Sequence, residues 1–238
     1  GISNRVDYRL ERSAKIYNPA TEMLINWIAD PALPQDPPNL PADYILGAKG
    51  SVPLGCPCIA LYNDRLVTAG NLVSPHVWFM CRRGDPFDWD YGADPGDPNR
   101  AIAGQNSDSG EIGEPIKALF GGSDDYLGFG CENSIWIMRG DPGYGGVINA
   151  LSRQVGVLDR GAWCLGPQNE IVFLSRDGLF AIAPGASSYP QSISRDVLPR
   201  ELRDINIQYN TITMAYDIRG RGIHIYVTPT DFQAAMHY

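Results

Sequence analysis

The sequence has few histidines, no long apolar run and no excess of positive charge. Its three histidines, His76, His224 and His237, are far apart, and no Gly-x-Ser-x-Gly or His-Glu-x-x-His motif accompanies them. The net charge of −8 disfavours a basic face that holds nucleic acid through its phosphates. No apolar stretch approaches the roughly 20 residues of a membrane helix. We therefore predict a soluble protein that is not an enzyme and has no membrane partner.

Cysteine is also scarce, and its pattern predicts neither disulfides nor a zinc site. The five cysteines are an odd number and include no Cys-x-x-Cys pair, while Cys56 and Cys58 are too close together for a routine zinc knuckle. Free thiols fit assembly in a reducing cytoplasm. Residues 1–4 do not resemble a signal peptide, and the missing initiator Met predicts either a processed chain or part of a longer one.

Glycine and proline are abundant, with 26 and 19 residues in a chain of 238. Such a composition favours turns and excludes long helices. Residues 1–58 show little periodicity, and five prolines between Pro31 and Pro41 forbid regular strand pairing there. The sequence therefore predicts an extended arm and linker at residues 1–58 and a β domain at residues 59–238.

An internal repeat organises the predicted β domain. Residues 64–70 followed by 76–80 resemble residues 125–130 followed by 134–138, and both hairpins run into Arg-Gly-Asp-Pro, at 83–86 and 139–142. Because the tripeptide occupies the same point of each repeat, it is interpreted as a turn after a strand. The position gives no support to an adhesion motif.

Two more hairpins follow, at residues 170–182 and 211–227. Starting at Asp64, Asp125, Glu170 and Thr211, the hairpins are spaced by 61, 45 and 41 residues, and residues 90–114 are a predicted insertion in the first interval. Propeller blades recur at about 40–50 residues. We predict an all-β, propeller-like array of four-stranded blades, with a β-sandwich as the alternative.

Candidate site residues are few. Asp85, Asp88 and Asp90 form a weak calcium candidate, although aspartates in such settings usually cap turns and their spacing does not fit an EF-hand. No catalytic residue, cofactor-binding residue or metal site is predicted. Four tryptophans are predicted to serve in packing or at interfaces: Trp78, Trp89, Trp136 and Trp163.

The chain resembles the tail nozzle, or tubular hub, proteins of short-tailed bacteriophages. The resemblance spans about residues 5–229 and is carried by residues 61–67, 78–80, 84–89, 116–119, 124–131, 139–142 and 174–179. It implies a propeller-bearing virion structural protein, assembled in the host cytoplasm, that forms a homo-oligomeric ring, expected to be a hexamer. The implied partners are the head-to-tail connector or adaptor and other tail proteins, with DNA passing through the ring without sequence-specific binding.

The sequence is also compatible with two other functions. A carbohydrate-binding or carbohydrate-acting phage propeller is favoured by Trp89 beside Asp85, Asp88 and Asp90. A different head–tail adaptor with the same fold is the third possibility, because fold does not fix position in a virion.

Overall fold

Short strands joined by tight turns account for nearly all regular structure in the computed structural model, which describes residues 16–18, 23–25, 50–92, 96–194, 202, 205–230 and 236–237. The chain divides into two units, Gly1–Lys49 and Gly50–Tyr238. In the first unit, strands β1 (Ile16–Asn18) and β2 (Met23–Ile25) pair antiparallel. The rest of the predicted arm up to Lys49 lies outside the described residues.

Four antiparallel sheets, named here blades 1–4, follow one another along the second unit. Blades 1–3 have four strands each, and three described strands form blade 4. The strands of blades 1 and 2 are β3 (Cys58–Tyr62), β4 (Arg65–Ala69), β5 (Trp78–Met80), β6 (Ile102–Ala103), β7 (Ile116–Phe120), β8 (Leu127–Cys131), β9 (Ile135–Arg139) and β10 (Val147–Ser152). Those of blades 3 and 4 are β11 (Trp163–Leu165), β12 (Ile171–Ser175), β13 (Gly178–Ile182), β14 (Gln191–Ser192), β15 (Asn210–Asp217), β16 (Gly222–Pro229) and β17 (Met236–His237).

The blades form a propeller-like array, which confirms the predicted fold class. Within each blade the strands pair in chain order, so the first strand lies at one edge of its sheet. The first strands of neighbouring blades contact each other, β3 with β7 and β11 with β15. Four small sheets that pack in succession are the arrangement of propeller blades rather than the two facing sheets of a sandwich.

The sequence repeat corresponds to the second and third strands of blades 1 and 2. Residues 64–70 and 76–80 contain β4 and β5, and residues 125–130 and 134–138 contain β8 and β9. The segment at 90–114, predicted as an insertion, includes β6, which completes blade 1. The compact unit also begins at Gly50, earlier than the predicted boundary at residue 59, and Gly50 forms a parallel bridge with Trp89.

Tight turns set the register of these hairpins. Asn63 and Asp64 connect β3 to β4, and both have positive φ, at 48° and 58°. That backbone is typical of a type I′ turn, whose twist matches the twist of paired strands. In blade 3, Ser175 pairs with Gly178 across a loop of two residues.

Among the residues that the structure describes, the apolar core forms two clusters, each lying between blades. One joins the inner faces of blades 1 and 2, and Trp78 meets Phe129 there at a ring-centroid distance of 6.2 Å. The other joins blades 2, 3 and 4, with Phe120 between Trp163 at 5.2 Å and Phe173 at 6.1 Å. Among the described residues no helix is long and apolar enough to span a membrane.

Candidate assembly interface

The side of β3 opposite Cys58 and Tyr62, named here the outer face of blade 1, carries exposed apolar side chains. Along β3, Cys58 and Tyr62 are buried toward blade 2, whereas Ile59 and Leu61 are 64% and 66% exposed. Ile59 pairs with Thr68, and Leu61 pairs with Leu66. Phe79 of β5 pairs with Thr68 on the same side of the sheet. This part is covered, because Thr68 is buried and the Phe79 ring lies 5.9 Å from the Tyr91 ring. These positions of β3, β4 and β5 hold no charged residue.

A cleft of about 490 Å³ adjoins this face. Ile59 and Leu61 line one side, and Leu119 and Trp163 line the other. The cleft therefore lies where the first strands of blades 1, 2 and 3 come together. Its lining is mainly apolar, with Asp124 as the charged residue, and one Asp124 oxygen accepts the backbone N–H of Asn63 at 3.1 Å.

Blade 4 ends the array with a different outer face. Ile212 and Met214 of β15 are buried in the core cluster, while the alternate residues Thr213 and Ala215 are exposed. Antiparallel pairing places β16 residues opposite them, so the face comprises the pairs Thr211–Thr228, Thr213–Tyr226 and Ala215–His224. These six positions hold no Asp, Glu, Lys or Arg. Asp217 continues the same face of β15, and its carboxylate lies 3.6 Å from His224 Nε2.

A buried arginine joins blade 1 to blade 2. Arg65 is fully buried, and its Nε donates to Asp141 Oδ2 at 2.8 Å. Its other nitrogens donate to the backbone carbonyls of Cys81 (2.9 Å), Pro98 (2.8 Å) and Arg100 (2.6 Å). One guanidinium thus holds the turn after β9 of blade 2 and the loop before β6 of blade 1. The salt bridge joins residues 76 positions apart, and no local pattern in the sequence signals it.

The second Arg-Gly-Asp turn supplies the acid for this contact. Asp141 caps a 3-10 turn at Pro142–Tyr144 by accepting the N–H of Gly143 at 2.8 Å. In the first repeat, Asp85 accepts the N–H of Phe87 in the same i to i+2 pattern, at 3.1 Å. Both tripeptides are therefore turns after a third strand, as the repeat predicts.

Arginine also links blade 2 to blade 3. Arg139, the last residue of β9, donates to the carbonyls of Gly185 and Ala186 at 2.7 and 3.0 Å, and its guanidinium lies 6.0 Å from the Tyr126 ring centroid. The turn it reaches follows β13, the third strand of blade 3. Arg65 and Arg139 thus each contact the turn after the third strand of the next blade.

Charged side chains form a further contact between blades 2 and 3. Glu132 binds Lys117 at 3.2 Å and also pairs with Arg176, which lies in the β12–β13 turn. The hydrogen bond from Lys117 is the main cause of a lowered Glu132 pKa, and the Arg176 charge adds to it. The contact is partly exposed, so solvent weakens it.

The predicted calcium candidates act as turn caps. Asp85, Asp88 and Asp90 each accept the backbone N–H two residues further on, at 2.9–3.1 Å. Such bonds are the usual role of aspartate in turns. In the described part of the chain, no group of three His, Cys, Asp or Glu residues is placed to hold a metal ion.

The four predicted packing tryptophans occupy different environments. Trp78 lies between blades 1 and 2, and Trp163 lies against Phe120 between blades 2 and 3. Trp136 is partly exposed within blade 2, with the Arg153 guanidinium 5.5 Å from its ring centroid. Trp89 is only 1% exposed, and its indole N–H donates to the Pro86 carbonyl at 2.8 Å. Its ring faces are therefore not open for stacking on a sugar.

The five cysteines are free thiols in the structure, and four of them are buried. Burial raises the pKa of Cys58 and Cys164 to about 11 and that of Cys131 to about 12. The Cys58 thiol donates to the Lys117 carbonyl at 3.0 Å, across the interface of blades 1 and 2. At neutral pH these thiols are protonated and behave as small packing groups.

Comparison with protein-family models and with curated proteins gives no match. Among solved structures the chain is similar to the N-terminal domain of Nup159, a β-propeller, with a TM-score of 0.36 and 10% identity. That similarity covers 75% of this chain and 46% of the other. The assignment of a propeller-like fold rests on the four successive sheets themselves.

Proposed function

We propose that this chain is a non-enzymatic structural subunit of a ring in the tail of a short-tailed bacteriophage, below the head-to-tail connector. The observation that carries the proposal is the exposed apolar pair Ile59 and Leu61 on β3, which lines a mainly apolar cleft. Exposed apolar side chains grouped on one surface mark protein–protein contact sites. Such a surface is the expected feature of a subunit whose neighbour covers it.

Net charge supports the placement around DNA. The chain carries −8, so a ring of several copies would surround its channel with a strongly negative wall. Like charges repel DNA phosphates, which lets the duplex slide without being held. The sequence resemblance to nozzle proteins adds the position in the tail and the partners, which are the connector and other tail proteins.

The structure gives the carbohydrate alternative less support than the sequence does. That alternative depends on Trp89 as a stacking platform beside Asp85, Asp88 and Asp90. Trp89 is buried, and the three carboxylates accept hydrogen bonds from their own turns. An assembly role therefore accounts for more of the described surface.

The test is the oligomeric state of the purified chain. Negative-stain images and mass photometry across a wide concentration range, alone and with the connector protein, are expected to show hollow rings, six-fold if the resemblance extends to symmetry. A compact monomer at every concentration, also in the presence of the connector, would contradict the proposal. Binding of duplex DNA that persists at physiological salt would contradict a negative channel wall along which DNA slides without being held.

A further inference from the structure

We propose that the open edge of β3 binds an extended segment of another tail protein as an added β-strand. The segment is mainly apolar and carries a Lys or Arg that reaches Asp124. This site rests on the proposed function, because it specifies how a neighbour covers Ile59 and Leu61. It excludes the deeper part of the same sheet, where Thr68 is buried and Phe79 lies against another ring.

The backbone of β3 is paired on one side only. Among the described strands β3 is hydrogen-bonded to β4 alone, so it forms one edge of blade 1. In an antiparallel pair, the backbone groups of successive residues point alternately toward the partner strand and away from it. Leu66 directs its groups away from β3, because its carbonyl accepts the N–H of Cys81 at 3.0 Å. Its partner Leu61 therefore directs its own N–H and C=O to the open edge, and so does Ile59.

Blades 2 and 4 occupy the same edge of their first strands with groups of their own. In β7, the Lys117 carbonyl accepts the Cys58 thiol at 3.0 Å. In β15, the Met214 N–H donates to the Gly161 carbonyl at 2.9 Å. Within the described part of the chain, no such bond reaches the open edge of β3. Edge groups without a partner are a template for pairing with a second chain.

The cleft beside this edge suits the alternating side chains of an added strand. Its volume of about 490 Å³ lies within the roughly 300–1,000 Å³ of ligand pockets. Side chains on one face of the added strand would contact Ile59 and Leu61, and those on the other face would point toward Leu119 and Trp163. Peptides bound in this way gain affinity from main-chain hydrogen bonds and specificity from pockets for alternate side chains. The apolar lining therefore selects an apolar segment.

Charge at the rim of the cleft selects a basic partner. Asp124 is the charged residue of the lining, and its exposed carboxylate is held beside β3 by the Asn63 N–H at 3.1 Å. A Lys or Arg at the end of the added strand nearest Asn63 would pair with this carboxylate. A second copy of this chain would bring a net charge of −8 to an acidic rim. A segment of a different and more basic protein therefore matches the cleft better.

A synthetic peptide of this chemistry tests the site on the full chain. The probe is fluorescein-labelled Lys-Val-Thr-Ile-Thr-Val-Thr-Lys, which presents its apolar side chains on one face and has a lysine at either end. Fluorescence anisotropy is expected to show saturable binding to the protein. Absence of binding at every protein concentration would overturn the added strand.

Methylated backbone amides distinguish strand addition from simple apolar contact. In an added strand, one alternate set of peptide N–H groups bonds to β3 and the other set points away. Methylation of one set, either the Val and Ile amides or the Thr amides, is expected to weaken binding about tenfold or more. Methylation of the other set is expected to leave binding within about twofold of the unmodified peptide. Equal effects of the two sets would contradict strand pairing.

Leu61→Lys tests the surface of β3, and Leu72→Lys is the matched control. The two leucines are 66% and 92% exposed, and Leu72 lies between β4 and β5 without lining the cleft. Both variants are therefore expected to keep the unfolding midpoint of the parent. Leu61→Lys is expected to weaken peptide binding about tenfold or more, because it removes an apolar contact, whereas Leu72→Lys should leave binding unchanged. Equal weakening in the two variants would assign the binding to overall charge and overturn the site.

Asp124→Asn tests the charge at the rim of the cleft. The amide keeps an oxygen that can accept the Asn63 N–H, so the turn is expected to stay intact. Loss of the carboxylate is expected to weaken peptide binding about threefold. Asp177→Asn is the matched control, because it removes the same charge from the turn between β12 and β13, outside the cleft. Equal binding by the two variants would overturn the choice of a basic partner.

Two measurements on the parent chain, its oligomeric state and its peptide binding, separate this site from the proposed function. Rings without peptide binding would overturn strand addition and leave the proposed function standing. Peptide binding by a chain that is monomeric under every condition, also with the connector, would overturn the proposed function and leave strand addition standing. Dissociation of the rings by the peptide would place a second copy in the cleft and overturn the choice of a different protein.

Discussion

The interface between blades 1 and 2 and the interface between blades 2 and 3 differ in chemistry. The first contains a fully buried guanidinium, Arg65, paired with Asp141 and with three loop carbonyls. The second is dominated by the rings of Phe120, Trp163 and Phe173, with its charges near the surface. A buried ion pair fixes one geometry but fails when one partner is lost, whereas aromatic packing tolerates small adjustments. The first interface should therefore be the more sensitive of the two to substitution.

The largest effect is expected for Arg65→Met. The substitution leaves Asp141 without its cation and several carbonyls without a donor, which costs about 3–5 kcal/mol of unfolding free energy. Urea denaturation of the full chain measures this loss. Arg83→Met is the matched control, because Arg83 pairs with Asp64 at 3.4 Å on the surface, and it should cost about 0.5 kcal/mol or less. Similar losses of unfolding free energy in the two variants would show that the buried ion pair stabilises the fold no more than the surface pair does.

Gly130→Ala tests the second interface by overfilling it. A Cβ at Gly130 would lie 2.6 Å from Val157 Cγ1 and 2.9 Å from Phe120 Cζ. Overpacking of this kind costs about 1–3 kcal/mol. Gly113→Ala provides the control, since a Cβ at Gly113 meets nothing within 4 Å. An unchanged urea midpoint for Gly130→Ala would mean that the interface relaxes more freely than its packing indicates.

Phe173→Leu tests the same interface by a mild loss of volume. Phe173 is fully buried, with its ring 5.8 Å from Phe180 and 6.1 Å from Phe120. A change that retains an apolar side chain of similar size should cost about 1 kcal/mol. A loss as large as that of Arg65→Met would remove the contrast between the two interfaces.

The smallest effect concerns pH. Because the folded-state pKa of Glu132 is lowered below 4.5, its contact with Lys117 stabilises the fold above that pH and is lost as the pH falls through the lowered pKa. The side chain is partly exposed, so the contribution is about 0.5 kcal/mol or less. Comparing the parent with Glu132→Gln from pH 6 to pH 3 should show convergence of their stabilities at acid pH. A difference in unfolding free energy that stays constant from pH 6 to pH 3 would contradict the lowered pKa of Glu132.

The sequence predicts the blades because their signals are local. Alternating side chains and short turns determine hairpins within a dozen positions, and the repeat of Arg-Gly-Asp-Pro marks equivalent turns. The contact of Arg65 with Asp141 joins residues from different blades, so it requires the arrangement of the blades themselves. The burial of Trp89 could not be predicted from the local sequence either, because it depends on a bridge to Gly50, 39 residues away.

Proteins with reactive thiols deteriorate in air, because thiolates exchange disulfides and cross-link neighbouring molecules. Here the thiols of Cys58, Cys81, Cys131 and Cys164 are buried, and Cys56 alone is partly open to solvent. Oxygen and oxidised glutathione therefore meet a single accessible thiol per chain. Material handled for weeks without reductant should keep its native thiols, and any slow covalent dimer should disappear when Cys56 is replaced by serine.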